Sequence, residues 1–210
     1  MITTNTAIEE RRLWSVSPAA VCALAAGTWG LAAAIYYHRL GLSLAHYDAR
    51  AHLVVARRVF DSLTPGWQQV GAVWLPLPHL LNALPVQIDW FYRSGFSGMA
   101  ISIASMAVAA WAIATLIKRA TGSIAGGAVA AALLMLNPDV LYLQSTPMTE
   151  PLLFGTTFLA IALIAEWATG IESGRPPSRA SDPARFGGTG AARSSAAPGW
   201  ACMYPAAASP

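Results

Sequence analysis

Apolar residues in this chain gather into four long runs, at 18–37, 94–117, 121–143 and 151–165. The first two carry no charge at all. The third is interrupted late by Asn137, Pro138 and Asp139, and the fourth is closed by Glu166. About 20 apolar residues in a helix cross the roughly 30 Å of a bilayer's hydrocarbon. Each of the first three runs is long enough to span, whereas the short fourth needs help from its flanks or a neighbour. The first run follows Glu9, Glu10, Arg11 and Arg12 and exceeds the apolar core of a signal peptide, which predicts a retained helix.

Between the first two runs the pattern changes. Residues 46–63 have a helical period, with Asp48, His52, Val55, Ala56, Val59 and Leu63 on one face and Arg50, Arg57 and Asp61 on another. This predicts an amphipathic helix lying flat at the membrane surface. The stretch 72–88 is uncharged but broken by Pro76, Pro78 and Pro85. Proline cannot donate to a helix, and unpaired backbone is not tolerated against lipid. An interfacial or re-entrant segment is therefore expected there, with a full span as the alternative.

Composition agrees with the pattern. The chain is 55% hydrophobic and 11% charged, against about a quarter charged in a soluble domain, so it cannot cover itself with polar surface. A net charge of +3, without clustered Lys and Arg among aromatics, argues against a nucleic-acid partner. Cys22 and Cys202 cannot form a disulfide framework. With four spans both termini share a side. Placing them in the cytosol leaves eight Lys and Arg inside against five outside. The 38–93 loop and the 139–150 turn then share the outer face. After Ile171 the composition shifts again: residues 172–210 lack Leu, Ile and Val, and Ala, Gly, Pro and Ser supply 27 of the 39. Such a tail is expected to be disordered. The abrupt change suits a truncated or out-of-frame reading of a longer gene. Residues 1–171 form the expected membrane domain.

All four histidines lie between residues 38 and 79. In that loop Asp48 is a candidate general base, or a metal holder beside a phosphate. The alternative is a helix-start aspartate that favours the positive end of the dipole. Glu150, before Pro151, is costly at a membrane edge unless it faces a polar cavity, and is otherwise a solvated loop carboxylate. Arg93 offers a fixed bidentate fork to a phosphate, or snorkels beside Trp90, Phe91 and Tyr92. His79 contacts a phosphate, polarises a hydroxyl, or is simply hydrogen-bonded. Asp48 is expected to approach Glu150 or Arg93 across a shared polar cleft. No metal-ligand spacing, nucleophile elbow or phosphate-binding glycine loop is present.

The order of motifs is more specific than any one of them. A first span leads to TyrAspAlaArgAlaHis, then TrpLeuProLeuProHis, then AspTrpPheTyrArg opening the next span, then AsnProAspValLeuTyrLeuGlnSerThrProMetThrGluProLeu. Over roughly residues 13–170 this resembles the N-terminal part of GT-C superfamily integral-membrane glycosyltransferases. The nearest groups are the protein O-mannosyltransferase and aminoarabinose transferase relatives and the bacterial RgtA/B/C/D-like domain. The resemblance implies transfer of a sugar from a polyprenyl-phosphate carrier to an acceptor on the outer face of a bacterial inner membrane. It also implies that Asp48 and Glu150 are the acidic groups of the site, with Arg93 and His79 binding substrate and a divalent metal allowed but not specified. Many relatives carry a second acidic residue where this chain has Ala49, and family members have many more spans.

The expected fold is thus all-α: a polytopic membrane protein with about four transmembrane helices and an amphipathic interfacial helix in the first outer loop. Two other readings stay open, a non-catalytic membrane scaffold or subunit and a transporter fragment.

Overall fold

A computed structural model describes residues 17–71 and 73–172, and every regular element among them is helical. The expected disorder of the 172–210 tail falls, beyond Glu172 itself, outside the described residues.

Helix α1 spans Pro18–Arg39. Ser17 caps it by accepting from the Ala20 amide at 3.1 Å, and Pro18 occupies the first turn, where a missing N–H is harmless. Helix α2 spans Tyr47–Arg58 and α3 spans Pro76–Ala83. A 3-10 turn at Trp67–Val70 lies between them, and another at Pro85–Gln87 follows α3. Helix α4 (Asp89–Ser94) leads through Gly95 into α5 (Phe96–Thr121). Gly95 has φ 71°, a left-handed turn that costs glycine little and lets the chain swing into the bundle. Helix α6 spans Ile124–Met135, α7 Pro138–Gln144 and α8 Glu150–Glu172.

Helices α1, α5 and α8 are long and apolar enough to cross a membrane, and α6 with α7 makes a fourth crossing if counted as one bent span. The chain is an integral membrane protein. The third run breaks at its interruption by Asn137, Pro138 and Asp139, where α6 and α7 meet at 70°. Asn137 accepts from the amides of Asp139 (2.9 Å) and Val140 (3.3 Å), and Pro138 cannot continue the preceding helix, so a new one starts there. The short fourth run gains its length from its flank: α8 continues past residue 165 to Glu172, 23 residues in all. Glu166 lies within it, and its carboxylate meets Arg119 of α5 at 3.5 Å.

Helix α5 is the centre of the bundle and packs against α1, α6 and α8. Its core with α1 and α6 consists of Ala19, Ala26, Met106, Ala109, Ala110, Ala114, Ala131 and Met135. Without a hydrophobic drive between helices in lipid, small residues that let backbones approach carry the packing. A Cβ on Gly127 would lie 2.6 Å from the Ala114 carbonyl oxygen, and one on Gly155 would lie 2.6 Å from that of Ser105.

Residues 40–94 form a separate cap at one end. Leu53, Ala56 and Val86 make its small core, with Leu44 and Tyr92 against them. The 145–149 turn reaches the same end, where Pro147 sits over Gly95 and Gly98. There Tyr142 Oη also donates to the Leu42 carbonyl at 3.4 Å, and its ring meets Tyr37 edge-on at 5.2 Å. Prolines break 72–88 as expected. Pro76 and Pro78 fall in the first turn of α3, which is too short to span, and Pro85 opens a 3-10 turn. On α2, His52, Ala56 and Val59 are buried as the period requires, but Leu63 is fully exposed. The helix stops at Arg58, and Gly66 N donates to Val59 O at 2.9 Å, turning the chain away before Leu63 can join the face.

Candidate functional site

The start of α2 is built locally. The His46 Nδ1 lone pair accepts from the Asp48 amide at 3.3 Å, capping the helix, and the ring lies 4.0 Å from Asp48 Oδ2. Asp48 therefore stands in the first turn, at the positive end of the dipole, with its side chain 45% exposed. One turn on, His52 points inward and is 6% exposed. Its ring meets Trp74 edge-on at 4.5 Å. His52 Nδ1 and His79 Nε2 are 3.1 Å apart, and His79 Nδ1 is 2.8 Å from the Leu75 carbonyl.

These contacts assign the protons. The Leu75 carbonyl can only accept, so His79 donates from Nδ1 and its neutral Nε2 accepts. His52 then donates from Nδ1 and keeps a lone pair on Nε2. Burial, and then the His79 ring, push His52 from 6.5 down to about 4, with Asp48 pulling partly the other way and His46 adding to the fall. Burial also lowers His79, and the bond to Leu75 opposes it. Both rings are neutral near pH 7.

Behind this pair lies a second polar cluster that sequence reasoning missed. Arg57 donates to Asp61 Oδ2 at 3.0 Å and to Asp89 Oδ1 at 2.7 Å, and its guanidinium lies 4.6 Å from the centre of the Tyr92 ring. The Arg57 hydrogen bond holds the Asp89 carboxyl below the usual range. Gln87 Nε2 donates to the carbonyls of Arg57 (3.2 Å) and Ala83 (2.8 Å). The end of α2 is thereby tied to α4. The Arg57–Asp61 half was visible as an i,i+4 pair, but Asp89 is 32 residues away.

Of the four sequence candidates, Asp48 and His79 both act on His52. Among the described residues no ion pair links Asp48, Arg93 and Glu150. Asp48 shares its surroundings with His46 and His52. Arg93 is exposed on α4, one turn from Asp89, whose carboxylate it influences. His79 is 1% exposed with both nitrogens engaged. Glu150 opens α8, and its Oε2 is shut from solvent with no hydrogen-bond partner. Such an orphaned atom calls for an explanation.

Gln144 was also missed. It is completely buried against α1, where a Cβ on Gly30 would lie 3.1 Å from Oε1, and neither amide atom has a partner. The available signal was a glutamine inside a membrane-length run. No group of three or more His, Cys, Asp or Glu among the described residues is arranged to hold a metal, so these side chains do not fit a resident ion held by protein alone.

The chain matches no family model, no curated protein and no solved structure.

Proposed function

We propose that this chain is a GT-C-type glycosyltransferase that moves a sugar from a polyprenyl-phosphate carrier to an acceptor at the outer face of a bacterial inner membrane. The observation that supports it best is Asp48: a half-exposed carboxylate with no Lys or Arg paired to it among the described residues, at the start of α2, backed by a fixed and neutral histidine pair. In this reading the bundle makes four crossings, both termini are cytosolic, and α2 lies along the interface.

The acceptor oxygen bonds the anomeric carbon as the bond from that carbon to the carrier phosphate breaks. The electron pair leaves with the phosphate, and the acceptor proton passes to Asp48. Arg93, exposed on α4, is the cation that meets phosphate charge in this reading. His79, with both nitrogens engaged, acts from behind by fixing His52. Glu150 supplies a second carboxylate near the membrane edge.

The test is transfer from polyprenyl-phosphate mannose, glucose and aminoarabinose by the purified full chain in vesicles. Asp48→Asn is expected to cut transfer about 10²–10⁴-fold while membrane insertion is kept. Arg93→Ala is expected to raise the carrier concentration needed. Transfer unchanged in the Asp48 variant rejects Asp48 as the base, and absence of transfer from all three carriers rejects the reading.

A second reading, a transporter fragment, draws on a different observation. The 70° break between α6 and α7, followed by the orphaned amide of Gln144, resembles the discontinuous helices that bind solutes inside membrane transporters. Solute uptake into vesicles abolished by Gln144→Leu is the result that favours it.

A further inference from the structure

A groove of about 460 Å³ runs between α1 and the first half of α5, within the size range of small-molecule sites. Its floor is made of small residues, among them Gly27, Ala34, Ala104 and Ala107. Leu31 and Ile103 form its walls. At the end next to the cap, the lining changes to His38, Arg39, Ser94 and Trp90. The groove therefore has an apolar body and a polar, cationic mouth.

The mouth's charge is uncommitted. Arg39 is exposed and makes no ion pair among the described residues. The other polar groups there are already engaged. Ser94 Oγ donates to the Trp90 carbonyl at 2.7 Å, and His38 Nδ1 lies 3.5 Å from Ser43 Oγ. Trp90 and Phe96, both exposed with ring centres 5.4 Å apart, flank the mouth as interfacial aromatics do. Arg93 does not line the groove, so the groove's cation is Arg39.

Length identifies the occupant. From Arg39 to Gly27 the helical rise is roughly 18 Å. One leaflet contributes roughly 15 Å of hydrocarbon, half of the whole core. With Arg39 about 3 Å above the hydrocarbon, at headgroup depth, a tail that enters beside it fills the groove within its own leaflet. A long isoprenoid chain would overrun it.

We propose that this groove is a seat for an anionic glycerophospholipid, with one acyl chain between α1 and α5 and its phosphodiester on Arg39. The guanidinium offers the phosphate two parallel donors, and Trp90 closes the mouth at headgroup depth. The inference stands apart from the transferase reading, because it uses neither Asp48 nor Arg93.

The full chain is purified in detergent and titrated with phosphatidylglycerol or phosphatidylcholine, with retained lipid counted by native mass spectrometry. Phosphatidylglycerol is expected to be held about fivefold more tightly, the usual effect of one basic residue on an anionic lipid. Arg39→Gln is expected to abolish that preference and leave phosphatidylcholine retention unchanged. Ala104→Phe, which fills the floor, is expected to reduce both. Arg58→Gln, an exposed cation outside the groove, is expected to change neither. Circular dichroism confirms helix content in each variant. Equal retention of the two lipids by the unaltered chain overturns the proposal, as does a preference that survives Arg39→Gln. Displacement of phosphatidylglycerol by equimolar polyprenyl phosphate assigns the groove to an isoprenoid carrier instead. A lipid-free dimer that forms through Ala104 assigns it to a second copy. Either result also overturns the proposal.

Discussion

The bundle and its cap are both helical, yet they are held together by different forces. In the bundle, α5 meets its neighbours through alanine, methionine and glycine, and a Cβ on Gly127 or Gly155 would collide with a carbonyl oxygen. In the cap, Leu53, Ala56 and Val86 form a small apolar cluster, and polar contacts do much of the joining. His52 meets His79, Arg57 meets Asp89, and Ser97 Oγ donates to Asn82 Oδ1 at 2.9 Å across to α5. Lipid tails are as apolar as the helices, so close backbone approach is the main selective attraction available inside the bilayer. At the membrane edge charged groups are solvated, and hydrogen bonds give direction to a small core. The candidate chemistry sits in the cap, where titratable groups carry the smaller desolvation cost.

The sharpest break of this contrast is Gly127→Leu or Gly155→Leu. The obstacle is backbone, which cannot swing aside, so overpacking is expected to cost about 3 kcal/mol or more and to lower the thermal midpoint in detergent. A variant that unfolds at the unaltered temperature shows that the bundle is not held by close approach.

Next in size is His79→Ala. It leaves the buried His52 Nδ1–H without its acceptor, a loss of about 1–3 kcal/mol. Faster hydrogen exchange is expected for amides in 47–83, with exchange in α5 and α8 unchanged. Equal acceleration in both regions removes the distinction between cap and bundle.

Acid tests the same pair without a mutation. His52 is held near 4 and His79 is also lowered, so the folded cap binds fewer protons than the unfolded chain below the ordinary histidine value of 6.5. The neutral pair's contribution is complete above about pH 6.5 and is lost as pH falls toward about 4. Asp48 and His46 act on the His52 ring and pull in opposite directions, with Asp48 favouring the proton. Cap amides are expected to lose protection over that range while α5 keeps its own. Protection that is flat between pH 7 and pH 4 contradicts the assigned proton arrangement.

The smallest expected effect is that of Asp89→Asn. Its partner Arg57 keeps Asp61 and the face of Tyr92, and the lost pair is exposed to solvent. Exposed pairs contribute little and are screened by salt. Any rise in exchange at the end of α2 is expected at low ionic strength and to vanish at high. A large, salt-independent loss means that the Arg57 contact is more deeply shielded than its exposure indicates.

The sequence alone determined that this chain is helical and membrane-embedded, and where its long helices fall, because those features depend on nearby residues. Runs of apolar residues locate α1, α5 and α8; the 3.6-residue period locates α2; prolines limit α3 and divide α6 from α7. The concentration of histidines in 38–79 was equally visible, and Asp48 stood out by its place at a helix start. Tertiary structure decided the rest. His52 and His79 are 27 residues apart, and only the packing of α2 on α3 brings their nitrogens to 3.1 Å and so settles which one donates. It also gave Arg57, not Arg93, to Asp89 and buried Gln144 against Gly30. Periodicity reports which side of a helix is apolar, but pairing across long sequence separations depends on how helices cross and on which backbones approach, which no local pattern encodes.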